Sequence, residues 1–417
     1  MNKITISGLS LLILSVCVAL AAGCKNTDVP VGPIEDPDLS NSRISVTNNS
    51  ATLNARVQYY DDVDVPVDTT ILGKTSSISK TTAFKLKLRA SVAPPVAGGT
   101  TLQATHVVLS GNYAYVSYNV QGSTYLGGVD VFDVSVKTKP KLISQAIFQS
   151  TDVSALWYDS GKLYLAEATS DTGYAYPAVL EEITLSNNKL TLTSRRTGVP
   201  SYVATDVKVT GGKVFVTSGS GGMGTGGLSV LNSATLQTVT SDLFLDARAV
   251  DVYSSYMVVM QGTPARLRTY LVSNNQFQTS YDVGGATIPE SKSTIRVSLE
   301  RAFVAAGDGG TKVVNLLTGV VTDSVARATV TGLDPSLTVT NAVSINNDLV
   351  FMANGEAGVY VAQAAVNLET TPFSATKLKL LGKMQFGSAE SANFVASSNS
   401  LLFVATGLGG LKIVEIL

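Results

Sequence analysis

From Lys25 to Leu417 the chain contains no cysteine, and its 417 residues include one histidine, His106. With both cysteines, Cys17 and Cys24, at the extreme N-terminus, the body can hold no disulfide framework, thiolate metal site or cysteine nucleophile. Any Ser-His-Asp triad would have to use His106. Charge is also scarce. Charged residues make up 15% of the chain, and 30 Lys and Arg stand against 31 Asp and Glu, a net charge of −1. No basic field exists to follow a phosphate backbone, so nucleic acid is excluded as a partner. Apolar runs long enough to approach a membrane span are missing beyond the first 24 residues.

What is present begins with an address. Lys3 gives a basic start, Leu11 to Leu20 form an apolar stretch, and Ala21-Ala22-Gly23-Cys24 ends it in small residues. That is the layout of a secretory signal. The terminal four residues resemble a bacterial lipobox, with Leu20 one place further out than the usual leucine. The resemblance implies cleavage before Cys24, a lipid on Cys24, and residence at the bacterial cell envelope. The expected place is the outer membrane, periplasmic or surface-exposed, with the lipid as the membrane attachment. Residues 1–23 are therefore read as signal peptide. Residues 24–82, rich in Asp, Pro, Ser, Thr and Asn, are read as lipidated cysteine plus extended tether, with a strand or two near Ala51–Tyr60. The acidic run Tyr59-Tyr60-Asp61-Asp62-Val63-Asp64 lacks the glycine and the spacing of a calcium loop, and no metal site is expected.

The 36 glycines and abundant Val, Thr and Ser suit many short strands joined by tight turns. One pattern recurs seven times. A bulky apolar pair closes a short strand at Tyr115-Val116, Tyr164-Leu165, Phe215-Val216, Val258-Val259, Phe303-Val304, Phe351-Met352 and Phe403-Val404, at spacings of 43 to 52 residues. Nine residues before each pair's second member stand Val107, Leu156, Val207, Val250, Ile295, Val343 and Val395. Turn residues such as Ser110-Gly111-Asn112 and Thr210-Gly211-Gly212 lie between. This is a hairpin of constant length, and blade five departs from its chemistry with Ser298-Leu299-Glu300-Arg301. A third strand follows, introduced by glycines as in Gly127-Gly128, Gly226-Gly227, Gly309-Gly310 and Gly409-Gly410. The pitch predicts an all-β, seven-bladed β-propeller of four-stranded blades over residues 83–417. The last copy ends within its third strand, while Phe84-Lys85-Leu86-Lys87-Leu88 resembles the fourth-strand segment Lys377 to Leu381. The N-terminal strand is expected to complete the last blade and leave no open edge.

At these residues the chain resembles a known group. Val131-Phe132-Asp133-Val134-Ser135 with Pro140-Lys141-Leu142-Ile143 is similar to the LVIVD repeat of bacterial surface propellers. Phe215-Val216-Thr217 with Leu228-Ser229-Val230-Leu231-Asn232 is similar to the YVTN repeat. The resemblance covers residues 84–417 and implies a propeller lipoprotein of adhesive or scaffolding role.

No constellation predicts catalysis. His106 has no like neighbours in the other blades, where Ala155, Asp206, Ala249, Thr294, Ala342 and Phe394 hold the same place. The glycine run at Ser218–Gly227 lacks the Gly-Lys-Ser/Thr ending and the helix of a phosphate loop. Glu181 and Glu182 are adjacent on a strand and so point to opposite faces. The expected function is non-enzymatic binding or scaffolding, without cofactor, toward an envelope protein or extracellular polymer. The alternative is a carbohydrate-active or other hydrolytic propeller. The candidate binding face is the end carrying the loops between second and third strands. It comprises Tyr118, Tyr125, Tyr174, Tyr176 and Asp171 on the long loops of blades one and two, with His106, Asp206 and Arg248 at the channel. One residue ahead of His106 runs an all-polar column: Thr105, Ser154, Thr205, Arg248, Ser293, Asn341 and Asn393.

Overall fold

A computed structural model describes residues 38–72, 84–219, 225–263, 265–372, 376–387 and 390–417. The signal peptide, Cys24 and the middle of the glycine run lie outside them.

Seven antiparallel sheets, each with a core of four strands, are arranged in a ring. Blade 1 is Gln103–Ser110, Tyr113–Asn119, Gly127–Asp133 and Lys141–Phe148. Blades 2 to 6 repeat that order, with first strands at Thr151–Asp159, Val203–Thr210, Ala247–Tyr253, Ile295–Ser298 and Ala342–Asn346. Blade 7 has Phe394–Ser398, Leu401–Ala405 and Leu411–Ile416, and its fourth strand is Leu86–Val92. Each first strand touches the first strand of the next blade, and that of blade 7 touches that of blade 1. These seven strands surround the central channel.

The recurring apolar pairs explain why the ring forms. Their first members, Tyr115, Tyr164, Phe215, Val258, Phe303, Phe351 and Phe403, are all buried to within 2%. Each sits on a second strand, whose two faces are both covered by neighbouring blades. Truncating one such aromatic to alanine removes about 3–5 kcal/mol of transfer and packing energy.

The chain ends meet in blade 7. Ala90 stands opposite Ile413, and Lys85 and Leu417 exchange backbone hydrogen bonds of 3.0 and 2.8 Å. The strand runs from 86 to 92, a few residues later than the sequence pattern placed it. Blades 5, 6 and 7 are latched to their successors by a repeated glycine turn. Gly307 bridges Thr340, Gly355 bridges Ala392, and Gly407 bridges Ala104. The turn needs left-handed backbone, φ +54° at Gly355, and a Cβ there would strike the Leu337 carbonyl.

The segment before the propeller departs from the tether read in the sequence. Leu39–Ser40 and Ile44–Thr47 add two strands to the outer edge of blade 1. A short helix, Ser50–Asn54, is capped by Asn49 and packs on the same blade. Val57–Asp64 then pairs outside the Leu86–Val92 strand of blade 7, and Asp68 bridges Lys383 on the edge of blade 6. This belt protects the edges of three consecutive blades. Arginines pin it: Arg43 reaches Glu181 of blade 2 at 2.7 Å, and Arg56 reaches Asp130 of blade 1 at 2.8 Å. A composition rich in Asp, Pro and Ser hid this order, because the stabilising contacts are long-range.

Candidate binding site

The polar column of the inner strands owes its direction to irregular pairing. In blades 1 to 4 the register of the first strand slips at one residue: Thr105, Ser154, Thr205 and Arg248 respectively. A bulged residue leaves the ladder and its side chain is re-aimed. All four line a cavity of about 980 Å³ at the channel mouth, together with Asn341 and Asn393 of the same column and Lys292 beside Ser293. That is the upper end of the volume of small-ligand sites.

The cavity has an apolar rim and a polar interior. Tyr202, Leu245, Leu337 and Leu408, from four different blade junctions, line it and remain 37 to 60% exposed. The amides Gln103, Asn119, Gln121, Asn341 and Asn393 line it, and the carboxylates Glu290, exposed, and Glu356, half-buried, stand at its outer part. Neither acid has an ion-pair partner among the described residues.

Lys292 forms the floor. Its Nζ crosses the channel from blade 5 to donate to the Ser154 carbonyl of blade 2 at 2.8 Å. Burial pushes its amine down to about 8, and nearby Asp206 partly offsets that. His106 packs its ring 4.1 Å from that of Phe394. Burial, then Lys292 and Lys208, hold its imidazole well below its ordinary range, so it is neutral.

The candidate residues from the sequence are distributed unevenly. Arg248 is at the mouth but its donors are spent. It binds Asp246 through two bonds of 2.9 and 2.7 Å and also reaches Ser291, Ser293 and Thr263. Asp206 is buried and accepts from the backbone of Val207 and, in the next blade, Val250; it ties blade 3 to blade 4. Burial raises its carboxyl above the ordinary value.

The tyrosines do not form one patch. Tyr118 is fully buried in the core beside Asp130 and Arg56, because its side chain follows the alternation of the second strand rather than the loop. Asp171 pairs with Arg196 at 2.5 Å, and the Arg196 guanidinium stacks 5.3 Å from the Tyr174 ring. These contacts hold the blade 2 loop against its own sheet, and neither Asp171, Tyr174 nor the exposed Tyr176 lines the cavity. Tyr125 does not line the cavity either; it neighbours the rim residue Tyr202, and burial, then Tyr202, push its hydroxyl up to about 12.

The rim residues and Lys292 were not singled out by the sequence pattern. Leu408 and Glu356 occupy the middle of the repeated glycine turns, at Gly407-Leu408-Gly409 and Gly355-Glu356-Ala357, which is the one signal that could have marked them. Glu181 and Glu182 do face apart, Glu181 to Arg43 and Glu182 to Arg195 and Lys162. The buried partner of Glu181 is Glu167, whose carboxyl is raised well above its ordinary value by burial and by Glu181.

No family model matches the chain, and no curated protein does. Solved structures do. One titled "Structure of U3-55K" is 14% identical, with 76% of this chain and 96% of that one covered at a TM-score of 0.55. A second, "Crystal structure of WD40 beta propeller domain of Doa1", is 13% identical, with 79% and 97% covered at a TM-score of 0.51. At these identities the likeness is one of backbone path: the chain is a seven-bladed β-propeller with WD40 propellers among its structural neighbours.

Proposed function

We propose that this protein is a non-enzymatic binding module, anchored by a lipid on Cys24 at the bacterial envelope, that engages its partner with the channel-mouth face. The supporting observation is the pairing of a polar concavity with four exposed apolar residues, Tyr202, Leu245, Leu337 and Leu408, around one opening. Large apolar side chains ringing a polar concavity are what recognition sites use to exclude water around a few orienting hydrogen bonds. The resemblance to LVIVD and YVTN surface propellers and the lipobox-like Ala21-Ala22-Gly23-Cys24 support the location.

Two experiments test it. Labelling with a radioactive fatty acid should mark the full-length protein and not Cys24→Ala. Detergent-solubilised full-length protein should co-purify an envelope component that is lost in Leu245→Asp/Leu408→Asp. Capture unchanged by that double substitution would sink the assignment of the face.

A further inference from the structure

Resting on that reading of the mouth face, we infer that the cavity receives the C-terminal end of a peptide or protein chain, with its terminal carboxylate on Lys292.

The argument starts from Lys292. An ammonium has three N–H donors; this one makes one hydrogen bond, to the Ser154 carbonyl, and lies 5.8 Å from the centroid of the Phe394 ring. No carboxylate lies within ion-pair distance of it among the described residues. Leaving a cation so poorly compensated below the surface is unfavourable. The other cations nearby are already engaged: Arg248 by Asp246, and Lys208 by the Trp157 ring at 3.8 Å and by Asp251. Asp206, whose charge acts on Lys292, accepts one backbone N–H on each oxygen and forms no ion pair with it. The missing partner of Lys292 is an anion supplied through the open cavity.

The walls say which anion. Asn341 and Asn393 each accept with Oδ1, from Lys292 N and Ser391 Oγ, which leaves their Nδ2 donors without a partner among the described residues. Gln103 and Gln121 line the same space. Primary amides offer a donor and an acceptor together, matching the C=O and N–H of a peptide unit. The leucines and Tyr202 at the rim suit apolar side chains further up such a chain. Glu290 and Glu356 at the mouth repel a polyanion and favour a cation near the entrance. A positive floor, amide-lined walls, an apolar rim and a negative mouth accommodate one terminal carboxylate followed by peptide. Chain termini are captured elsewhere by clustered N–H donors of the backbone; here side-chain donors would take that part.

The test offers the folded protein two degenerate tetrapeptide pools at equal concentration, one ending in free carboxylate and one in carboxamide. Retained peptides are counted by mass spectrometry. Free acids should be retained at least tenfold over amides by the wild type. Lys292→Met should retain both alike, while its unchanged near-UV circular dichroism reports an intact fold. Equal retention of acids and amides by the wild type, or no retention, overturns the inference, and so does an acid preference that survives Lys292→Met. An envelope component lost in Leu245→Asp/Leu408→Asp but held normally by Lys292→Met would also overturn it, while leaving the binding-module reading standing.

Discussion

Arg43, in the belt that precedes the propeller, meets Glu181 of blade 2 through two hydrogen bonds of 2.7 Å. Glu181 is fully buried, and Arg196 also approaches its Oε2, at 3.3 Å. The contact joins residues 138 positions apart. It makes the N-terminal segment part of the folded body rather than a spacer. Removing one partner of a buried pair leaves an uncompensated charge, which destabilises by about 3–5 kcal/mol. Because Arg196 remains, Arg43→Met is expected at the lower end, about 3 kcal/mol, read as a fall in the urea midpoint at unchanged slope. A midpoint within error of the wild type would show that the belt is not held by this pair.

Glu167 adds a pH signature to the same cluster. Burial and the neighbouring Glu181 raise its carboxyl above the ordinary value, so the folded state holds a proton that the unfolded state has released. Stability is then greatest below the unfolded carboxylate range and is lost as pH rises from about 4.5 toward the folded value. Glu167→Gln keeps the shape without the titration. Its stability should exceed that of the wild type at pH 8 and approach it at pH 4.5. A constant difference across that interval would contradict the assignment.

Blade 5 offers a test of turn chemistry. Its first hairpin turns through Leu299 and Glu300 with φ of +48° and +66°, the conformation that Gly211 and Gly212 adopt in blade 3 at +56° and +75°. Two-residue hairpins demand this left-handed backbone whatever the residues, and a side chain there is strained by about 1–2 kcal/mol. Leu299→Asn/Glu300→Gly should therefore raise the thermal midpoint by a few degrees. A decrease would mean that these side chains make contacts outweighing the strain.

The same hairpin shows why so much of the fold was legible. The interval between Val107 and Val116, and its six counterparts, is fixed by two short strands and a two-residue turn. Local geometry of that kind leaves a period in the sequence even where, as at Leu299-Glu300, the turn residues do not conform. The polar column was legible for a related reason, since its position relative to the apolar anchors is constant. What stayed hidden depends on partners distant in sequence. The belt carries no period of its own, and its order comes from pairing with strands distant in sequence, as far as Lys383 opposite Asp68. Tyr118 and Tyr125 are both loop-adjacent tyrosines in blade 1, yet Tyr118 is core and Tyr125 half-exposed, because strand alternation carries on two residues past where the sequence suggested a loop. Lys292 precedes the first strand of its blade by three residues and could have pointed anywhere. Only the ring closure that brings blade 2 opposite blade 5 sets it across the channel.

Lys292 also makes the function testable through stability. Partial burial lowers its amine to about 8, so below that pH the folded protein carries a half-buried cation that the unfolded chain would hold in water at no penalty. The penalty is fully present below pH 8 and is relieved as pH rises from 8 toward the unfolded value near 10.5, so stability climbs across that window. Lys292→Met removes the charge while keeping the unbranched bulk and gives up one hydrogen bond, a loss of about 1 kcal/mol. The variant should nonetheless be more stable than the wild type at pH 7, by about 1–2 kcal/mol, with the gain vanishing by pH 10. The other titratable and charged groups around this cavity are His106, already neutral, Asp206, Lys208, Arg248, Glu290 and Glu356, and the comparison with Lys292→Met is what assigns the window to Lys292. Carboxylate binding should accordingly be constant from pH 6 to 7.5 and weaken about tenfold per unit well above pH 8, as the ammonium is lost. Binding that holds steady to pH 10 would place the anion elsewhere.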